Sequence, residues 1–157
     1  MTDFAIRAAR PDEAAQLSAL ALRSKAHWGY DAAFLEASRQ ELTLSPEQIV
    51  HRRTQVAVSR EPENDGRLLG FGTIEGEPPA GELGMLFVDP PAIGTGVGGA
   101  LYSHLAEMAL GLGFHRLTIA ADPNAEPFYL AKGAVRIGGV PSGAVEGRVL
   151  PLLAVAL

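Results

Sequence analysis

Four glycines fall within six residues shortly after an apolar run and a pair of prolines, and this combination suits phosphate binding. The apolar run is Leu86–Val88, and the glycines are Gly94, Gly96, Gly98 and Gly99. Glycine lets the backbone turn tightly and places no side chain between the amides and a ligand. A helical pattern follows, and the free N–H groups and dipole at a helix start favour an anion. The segment therefore predicts a pyrophosphate site where a strand passes into a helix.

Two common nucleotide motifs fit this segment poorly. Gly94, Gly96 and Gly99 satisfy the G-x-G-x-x-G pattern of dinucleotide-binding domains, and Asp122 stands at the end of the next predicted strand. In that pattern the first glycine follows the strand almost directly, whereas residues 89–93 intervene here. No Gly-Lys-Ser or Gly-Lys-Thr follows the glycines, as a P-loop requires. The chain also offers only one strand–helix–strand unit, which is too little for a doubly wound domain.

Composition excludes several other classes of function. The net charge of −5 over 157 residues, without a lysine or arginine run, argues against nucleic acid as a partner. The absence of cysteine excludes thiol nucleophiles, disulfides and thiolate metal sites. His51, His104 and His115 lack metal-ligand spacing, so we expect no metal. No secretory pattern and no apolar stretch of ~18 residues is visible, so we expect a cytoplasmic protein without membrane contact.

The elements that would position the glycine segment follow from periodicity and turn residues. Connection lengths make the middle strands antiparallel, and the strand–helix–strand unit over 82–121 parallel and right-handed. We expect one domain over residues 1–157, an α/β fold with a mixed sheet and helices on both faces. The predicted strands are 4–8, 55–59, 68–75, 82–88, 116–121, 135–138 and 149–157, and the predicted helices are 11–25, 31–38, a turn at 45–48, 96–112 and 125–131.

The terminal run Leu150–Leu157 is almost wholly apolar. Such a strand is either covered by helices or paired across a dimer, because an exposed edge of this composition invites aggregation. We therefore expect a homodimer.

Two short blocks, in order, carry a family resemblance. Val88-Asp89-Pro90 is followed by Ile93-Gly94-Thr95-Gly96-Val97-Gly98, and a second block holds Asn124, the pair Phe128-Tyr129, and Gly133. Together with the order of elements, these blocks resemble the GCN5-related N-acetyltransferase (GNAT) superfamily. The resemblance implies a twisted, mostly antiparallel central sheet of about six or seven strands with helices on both faces. One position departs from the family pattern, because Ile93 stands where the family has Arg or Gln.

The resemblance implies acetyl-coenzyme A as acetyl donor and direct transfer to an amine in a ternary complex. The strand backbone would hold the pantetheine arm, and the glycine-segment amides would hold the pyrophosphate, with further contacts from Asn124 and Tyr129. The expected coenzyme-binding residues are Leu86, Phe87, Val88, Gly94, Thr95, Gly96, Val97, Gly98, Gly99, Asn124 and Tyr129. Asn124 also fits an ordinary turn and helix-cap role.

Tyr129 matches the position of the family's general acid, which protonates the leaving thiolate. A tyrosine keeps its proton at neutral pH because its ordinary pKa is about 10. From spacing alone, Tyr129 is equally a packing residue beside Phe128.

The acceptor amine must lose a proton before it attacks. Glu82 could take that proton directly or through water, or it could be a solvated carboxylate at a strand end. His27 is the other candidate base, and it could equally be a packed side chain beside Trp28.

The segment His27-Trp28-Gly29-Tyr30 lies where the family places its acceptor loops, so His27, Trp28 and Tyr30 are the expected acceptor-binding residues. The acceptor is a small-molecule or peptide amine whose identity the sequence leaves open. A second function also stays open, namely a module that binds acyl-coenzyme A without catalysis.

Overall fold

The computed structural model describes residues 3–157, and seven strands and five α-helices alternate along them. Short 3₁₀ turns precede the first and fourth helices, at Pro11–Glu13 and Pro90–Ala92. In chain order the elements are β1 (Phe4–Ala8), α1 (Ala14–Ala26), α2 (Ala32–Leu42), α3 (Pro46–His51), β2 (Gln55–Ser59), β3 (Leu68–Glu77), β4 (Ala80–Val88), α4 (Val97–Gly111), β5 (Arg116–Ala120), α5 (Glu126–Ala131), β6 (Val135–Pro141) and β7 (Val149–Ala156).

One sheet carries all seven strands, in the order β1-β2-β3-β4-β5-β7-β6. Every neighbouring pair is antiparallel except β4 and β5, which are parallel and joined through α4. The prediction of a mixed, mostly antiparallel α/β sheet is therefore confirmed.

Helices cover both faces of this sheet, as predicted. Phe71 of β3 packs in a core cluster with Leu17 and Leu20 of α1. Its neighbour Gly72 faces the other way, because a Cβ there would collide with Leu105 of α4. Alternation along one strand thus places α1 and α3 on one face and α4 on the other.

Local capping chemistry sets several helix starts. Asp31 accepts a hydrogen bond from the Phe34 amide at 2.8 Å and begins α2. Ser45 and Gln48 bond each other's backbone amides, at 3.2 and 2.9 Å, and begin α3. Both starts were predicted from sequence. The first helix differs, because Pro11–Glu13 forms a 3₁₀ turn and α1 begins only at Ala14.

The strand β7 lies inside the sheet, hydrogen-bonded to β5 on one side and β6 on the other. Both edges of β7 are therefore paired within the chain, and β1 and β6 form the sheet edges. This removes the edge-strand argument for a homodimer, which stays a prediction. Among residues 3–157, no helix has the length and apolar character needed to cross a membrane.

Candidate active site

A cleft of about 720 Å³ opens where β4 separates from β5. The two strands pair over only three positions, from Ala80 with Arg116 to Glu82 with Thr118. Beyond Glu82, β4 continues to Val88 with no strand on its β5 side. Free backbone amides and carbonyls along such an edge can bind an extended, amide-containing chain as an added strand. The predicted coenzyme-binding residues Leu86, Phe87 and Val88 line this part of the cleft.

The glycine segment closes one end of the cleft. Gly94 and Gly96 have φ angles of +83° and +92°, which side-chain-bearing residues rarely adopt, and a Cβ at either would meet only open space. Gly96 is the N-cap of α4, so the first amides of a fifteen-residue helix point toward the segment. This is a backbone cradle open to an anion such as a pyrophosphate.

The remaining residues of the segment contribute in different ways. Gly98 and Gly99 line the cleft, whereas the side chain of Val97 is fully buried in the core. The Thr95 hydroxyl donates a hydrogen bond to the Ala92 carbonyl and does not line the cleft. Neither Thr95 nor Val97 therefore lines the cleft with its side chain.

A cation near the segment was not foreseen from sequence. A Cβ at Gly99 would lie 3.2 Å from Nζ of Lys132, so this ammonium group reaches the first turn of α4. Ile93, which lacks the charge or polarity of the family's Arg or Gln, is 39% exposed at the cleft wall. Lys132 therefore places a positive charge beside the cradle, whereas Ile93 supplies none.

The side chain of Tyr129 is buried and its polar hydroxyl belongs to a residue that lines the cleft. It is 5% exposed on α5, and none of the described residues hydrogen-bonds its hydroxyl. Burial, with a smaller effect from Tyr102, raises the pKa of Tyr129 above its ordinary value. The phenol is therefore fully protonated at neutral pH and free to donate to a ligand.

Tyr102 resembles Tyr129 but has a different position. The two rings lie 6.2 Å apart, and burial also raises the pKa of Tyr102. The Tyr102 hydroxyl is sealed from solvent without a hydrogen-bond partner among residues 3–157, and the residue does not line the cleft. The two tyrosines thus form a natural test pair.

An ion and hydrogen-bond cluster around Asp122 holds the middle of the cleft together. We call Lys25, Tyr30, Asp122, Asn124 and Arg148 the Asp122 cluster. Lys25 Nζ lies 2.5 Å from the Asp122 carboxylate, and the Tyr30 hydroxyl donates to it at 2.9 Å. The Tyr30 oxygen accepts from Asn124 Nδ2 at 3.0 Å and from Arg148 at 2.8 Å. One carboxylate therefore joins α1, the α1–α2 loop, the β5–α5 loop and the β6–β7 loop.

The cluster holds Asp122 ionised. Although burial alone would raise its pKa, hydrogen bonds from Lys25, the Asn124 amide and Tyr30, with the Lys25 charge, lower the pKa to about 2. Burial and the adjacent Asp122 raise the pKa of Tyr30. From sequence, Asp122 was a turn residue and part of a dinucleotide pattern, and its partners Lys25 and Arg148 were not foreseen.

The three expected acceptor residues take different places. Trp28 is 44% exposed and lines the cleft. His27 is exposed, packs edge-on against Trp28 at 5.5 Å, and does not line the cleft. Tyr30 stacks on Phe34 at 4.0 Å, and its hydroxyl belongs to the Asp122 cluster rather than to the cleft wall.

The other end of the cleft is acidic. Glu82 is exposed there, at the last position where β4 still pairs with β5. Two further glutamates unforeseen from sequence also line the cleft, namely Glu75 of β3, whose Oε1 lies 3.8 Å from Arg52 Nε, and Glu41 of α2. Among residues 3–157, no three His, Asp or Glu side chains are grouped to hold a metal ion.

Comparisons with known proteins agree with this geometry. The sequence profile described as the acetyltransferase (GNAT) family matches residues 21–134. No curated protein matches the chain.

Solved structures share the fold. A GCN5-related N-acetyltransferase from Rhodopseudomonas palustris has a TM-score of 0.78 at 24% identity, covering 100% of this chain and 98% of that one. The PaiA N-acetyltransferase of Thermoplasma acidophilum, solved with coenzyme A, has a TM-score of 0.79 at 16% identity, covering 99% of each chain. The ribosomal-protein-S18-alanine N-acetyltransferase of Escherichia coli has a TM-score of 0.70 at 14% identity, covering 98% of this chain and 94% of that one.

The profile covers most of the chain and spans the separated strands, the glycine segment and Tyr129. The chain therefore belongs to the GNAT acetyltransferase family.

Proposed function

We propose that this protein transfers an acetyl group from acetyl-coenzyme A to the nitrogen of an amine. The observation that supports it most is the continuity of one cleft. It runs from the backbone cradle at Gly94 and Gly96, along the unpaired edge of β4, to the hydroxyl of Tyr129, which none of the described residues hydrogen-bonds. Each part suits one portion of the donor, namely the pyrophosphate, the pantetheine amides and the sulfur.

The cradle and the strand edge bind and orient the donor. Amides of the glycine segment and the first turn of α4 hold the pyrophosphate, with Lys132 adding a positive charge. The free edge of β4 at Leu86, Phe87 and Val88 fixes the pantetheine arm. A backbone N–H at Phe87 or Val88 that points to the thioester oxygen would stabilise the negative charge that develops there during attack.

Transfer makes one C–N bond and breaks one C–S bond. The amine lone pair attacks the thioester carbonyl carbon, the sulfur leaves with the bonding electron pair, and Tyr129 gives that sulfur a proton. The ordinary pKa of a thiol is about 8.5, below that of tyrosine. Exclusion of water raises the pKa of both the tyrosine and the thiol. Tyr129 first stabilises the developing thiolate through a hydrogen bond, and the proton moves to the sulfur afterwards.

The reacting ammonium must first release a proton, and Glu82 is the proposed acceptor of that proton, directly or through water. Its carboxylate lines the cleft at the point where β4 begins to separate from β5. His27 lies away from the cleft wall, which favours Glu82 over His27 in this role. The proton that leaves the attacking nitrogen replaces, by way of solvent, the one that Tyr129 donates.

A transfer assay tests the proposal. The protein is incubated with acetyl-coenzyme A and a mixed panel of primary amines, and both free thiol and N-acetylated product are measured. We expect the two to form in equal amounts and only when amine is present. Tight coenzyme A binding with no product from any amine would instead identify a binding module. A cytoplasmic location stays a prediction.

A further inference from the structure

A carboxylate on β3 is held at a fixed place in the acidic end of the cleft. Thr73 pairs with Met85 and Ile74 with Leu83, so Gly84 is an extra residue that bulges from β4. The fully buried Thr73 hydroxyl accepts a hydrogen bond from the Met85 amide at 2.9 Å and donates one to Glu75 Oε2 at 2.8 Å. Thr73 thus anchors the Glu75 carboxylate to the bulge.

Gly84 makes room for that carboxylate. A Cβ at Gly84 would collide with both Oε2 and Cδ of Glu75, so any other residue would displace the Glu75 side chain. The bulge lies just beyond Glu82, at the first part of β4 that lacks β5 as a partner. Glu75 therefore presents its charge next to the free edge that suits the thioester.

The charges around Glu75 do not balance. Glu75 and Glu82 are cross-strand partners, a like-charge arrangement that destabilises a sheet unless a cation compensates it. Arg52 is the nearby cation, with Nε 3.8 Å from Glu75 Oε1. Glu41 of α2 is a third carboxylate that lines the cleft, near Gly143 of the β6–β7 loop. Since Lys25 is paired with Asp122, three carboxylates face one guanidinium among the described residues that line this cleft.

Another polar group in the same cleft, unlike Glu75, lacks a hydrogen-bond partner among the described residues. The hydroxyl of the buried Tyr129 is hydrogen-bonded by none of the described residues. Among the described residues that line the cleft, carboxylates thus outnumber cations by two, and Tyr129 adds a proton donor.

We propose that the acceptor is an amine carrying two positive charges, with one ammonium held by Glu75 beside the free edge of β4 and the second held by Glu41. This inference rests on the proposed acetyl transfer and names its acceptor class. Glu75 is a residue that determines specificity, and Glu82 remains the proposed proton acceptor.

The test compares straight-chain diaminoalkanes of three to six carbons with monoaminoalkanes of the same lengths. We expect the wild-type protein to prefer the best diamine by at least ten-fold in kcat/KM, and added salt to reduce that preference. Glu41→Gln should remove the preference by lowering kcat/KM for the diamine at least ten-fold. Glu75→Gln keeps the Thr73 hydrogen bond but removes the charge, so it should lower kcat/KM for both amines by at least ten-fold.

Glu77→Gln is the matched control, because Glu77 is an exposed glutamate on the same strand that does not line the cleft. It should keep both the activity and the preference. Binding of the diamine to the coenzyme A-loaded protein, measured by calorimetry, provides a readout that does not need turnover.

Three results would overturn the inference. They are equal kcat/KM for diamines and monoamines, a preference that survives Glu41→Gln, and no diamine binding by the coenzyme A-loaded protein. Acetylation of monoamines would then still support the proposed function. Failure to bind coenzyme A would instead overturn the proposed function, and the inference with it.

Discussion

At the scale of single residues, the account depends on two tyrosines that look alike and differ in access. Tyr129 and Tyr102 are both buried and both lack a hydrogen-bond partner among the described residues. Only Tyr129 lines the cleft. Position, rather than burial or residue type, therefore distinguishes the proposed acid from its neighbour.

Tyr129→Phe should lower kcat at least ten-fold, the lower end of what loss of a general acid costs, while the Kd for coenzyme A changes less than about three-fold. Tyr102→Phe is the control, and it should leave kcat unchanged because its hydroxyl reaches no ligand. Steady-state kinetics and calorimetry measure both quantities. Equal kcat in the wild type and the Tyr129 variant would remove Tyr129 from the chemistry.

Gly96→Ala tests the backbone cradle. The φ angle of +92° at Gly96 is strained for any residue with a Cβ, so the substitution should distort the amides at the start of α4 and weaken coenzyme A binding at least ten-fold. Gly111→Ala, at the other end of α4 with open space around its Cβ, should leave affinity unaltered. Affinity that is equally high in both variants would show that the pyrophosphate binds elsewhere.

Lys132→Met tests the cation beside the cradle. An exposed ammonium that contacts a phosphate contributes modestly, so we expect the Kd for coenzyme A to rise about two- to five-fold at low salt. The difference between wild type and variant should shrink at high salt. A Kd that does not respond to the substitution at low salt would place Lys132 outside the coenzyme site.

At the scale of elements, the Asp122 cluster joins segments that lie far apart in the chain. Lys25 and Asp122 are separated by 97 residues, and Tyr30 and Arg148 by 118. The cluster positions the α1–α2 loop, which carries Trp28, against the loop that follows β5. Loss of its central carboxylate should therefore loosen the acceptor side of the cleft.

The cluster also predicts a pH dependence of stability. The pKa of Asp122 is depressed to about 2 in the folded protein, below its ordinary value of 3.8, so its stabilising effect is complete above pH 4 and is lost as the pH falls through 2. Asp122→Asn should lose about 1–2 kcal/mol of unfolding free energy at pH 7 and show a weaker decline toward pH 2.

Urea unfolding of both proteins between pH 2 and pH 7 measures this difference. The comparison with the variant matters because the pKa of Glu13, beside Arg7, is also lowered, and Glu13 contributes to the acid sensitivity of both proteins. Parallel pH curves for the two proteins would contradict the role given to Asp122.

Sequence reasoning succeeded where the signal is local. The helix starts at Asp31 and Ser45, the helix after the glycine segment and the parallel pairing of β4 with β5 all depend on residues close in sequence or on connection length. Strand bounds were less exact, because β3 and β4 extend two residues further into their turn, to Glu77 and from Ala80. The contact of the Glu75 carboxylate with Gly84 depends on the bulge between β3 and β4. Such a contact produces no periodic pattern in the sequence and could not be predicted.

At the scale of the whole molecule, helices cover both faces of the sheet, and the cleft lies between these helices. The helix α4, with the glycine segment at its start, covers one face, and α1 and α3 cover the other. The cleft passes between them where β4 leaves β5. This arrangement lets a donor bound from the glycine side meet an acceptor bound at the acidic end.

Thermal unfolding in the presence of coenzyme A, acetyl-coenzyme A or NAD tests the central claim most directly. A ligand present at about 100 times its Kd stabilises the folded state by about 2.7 kcal/mol. We expect both coenzyme A species to raise Tm clearly and NAD to leave it unchanged. A rise with NAD alone, or with none of the three, would contradict the assignment of the cleft to acetyl-coenzyme A.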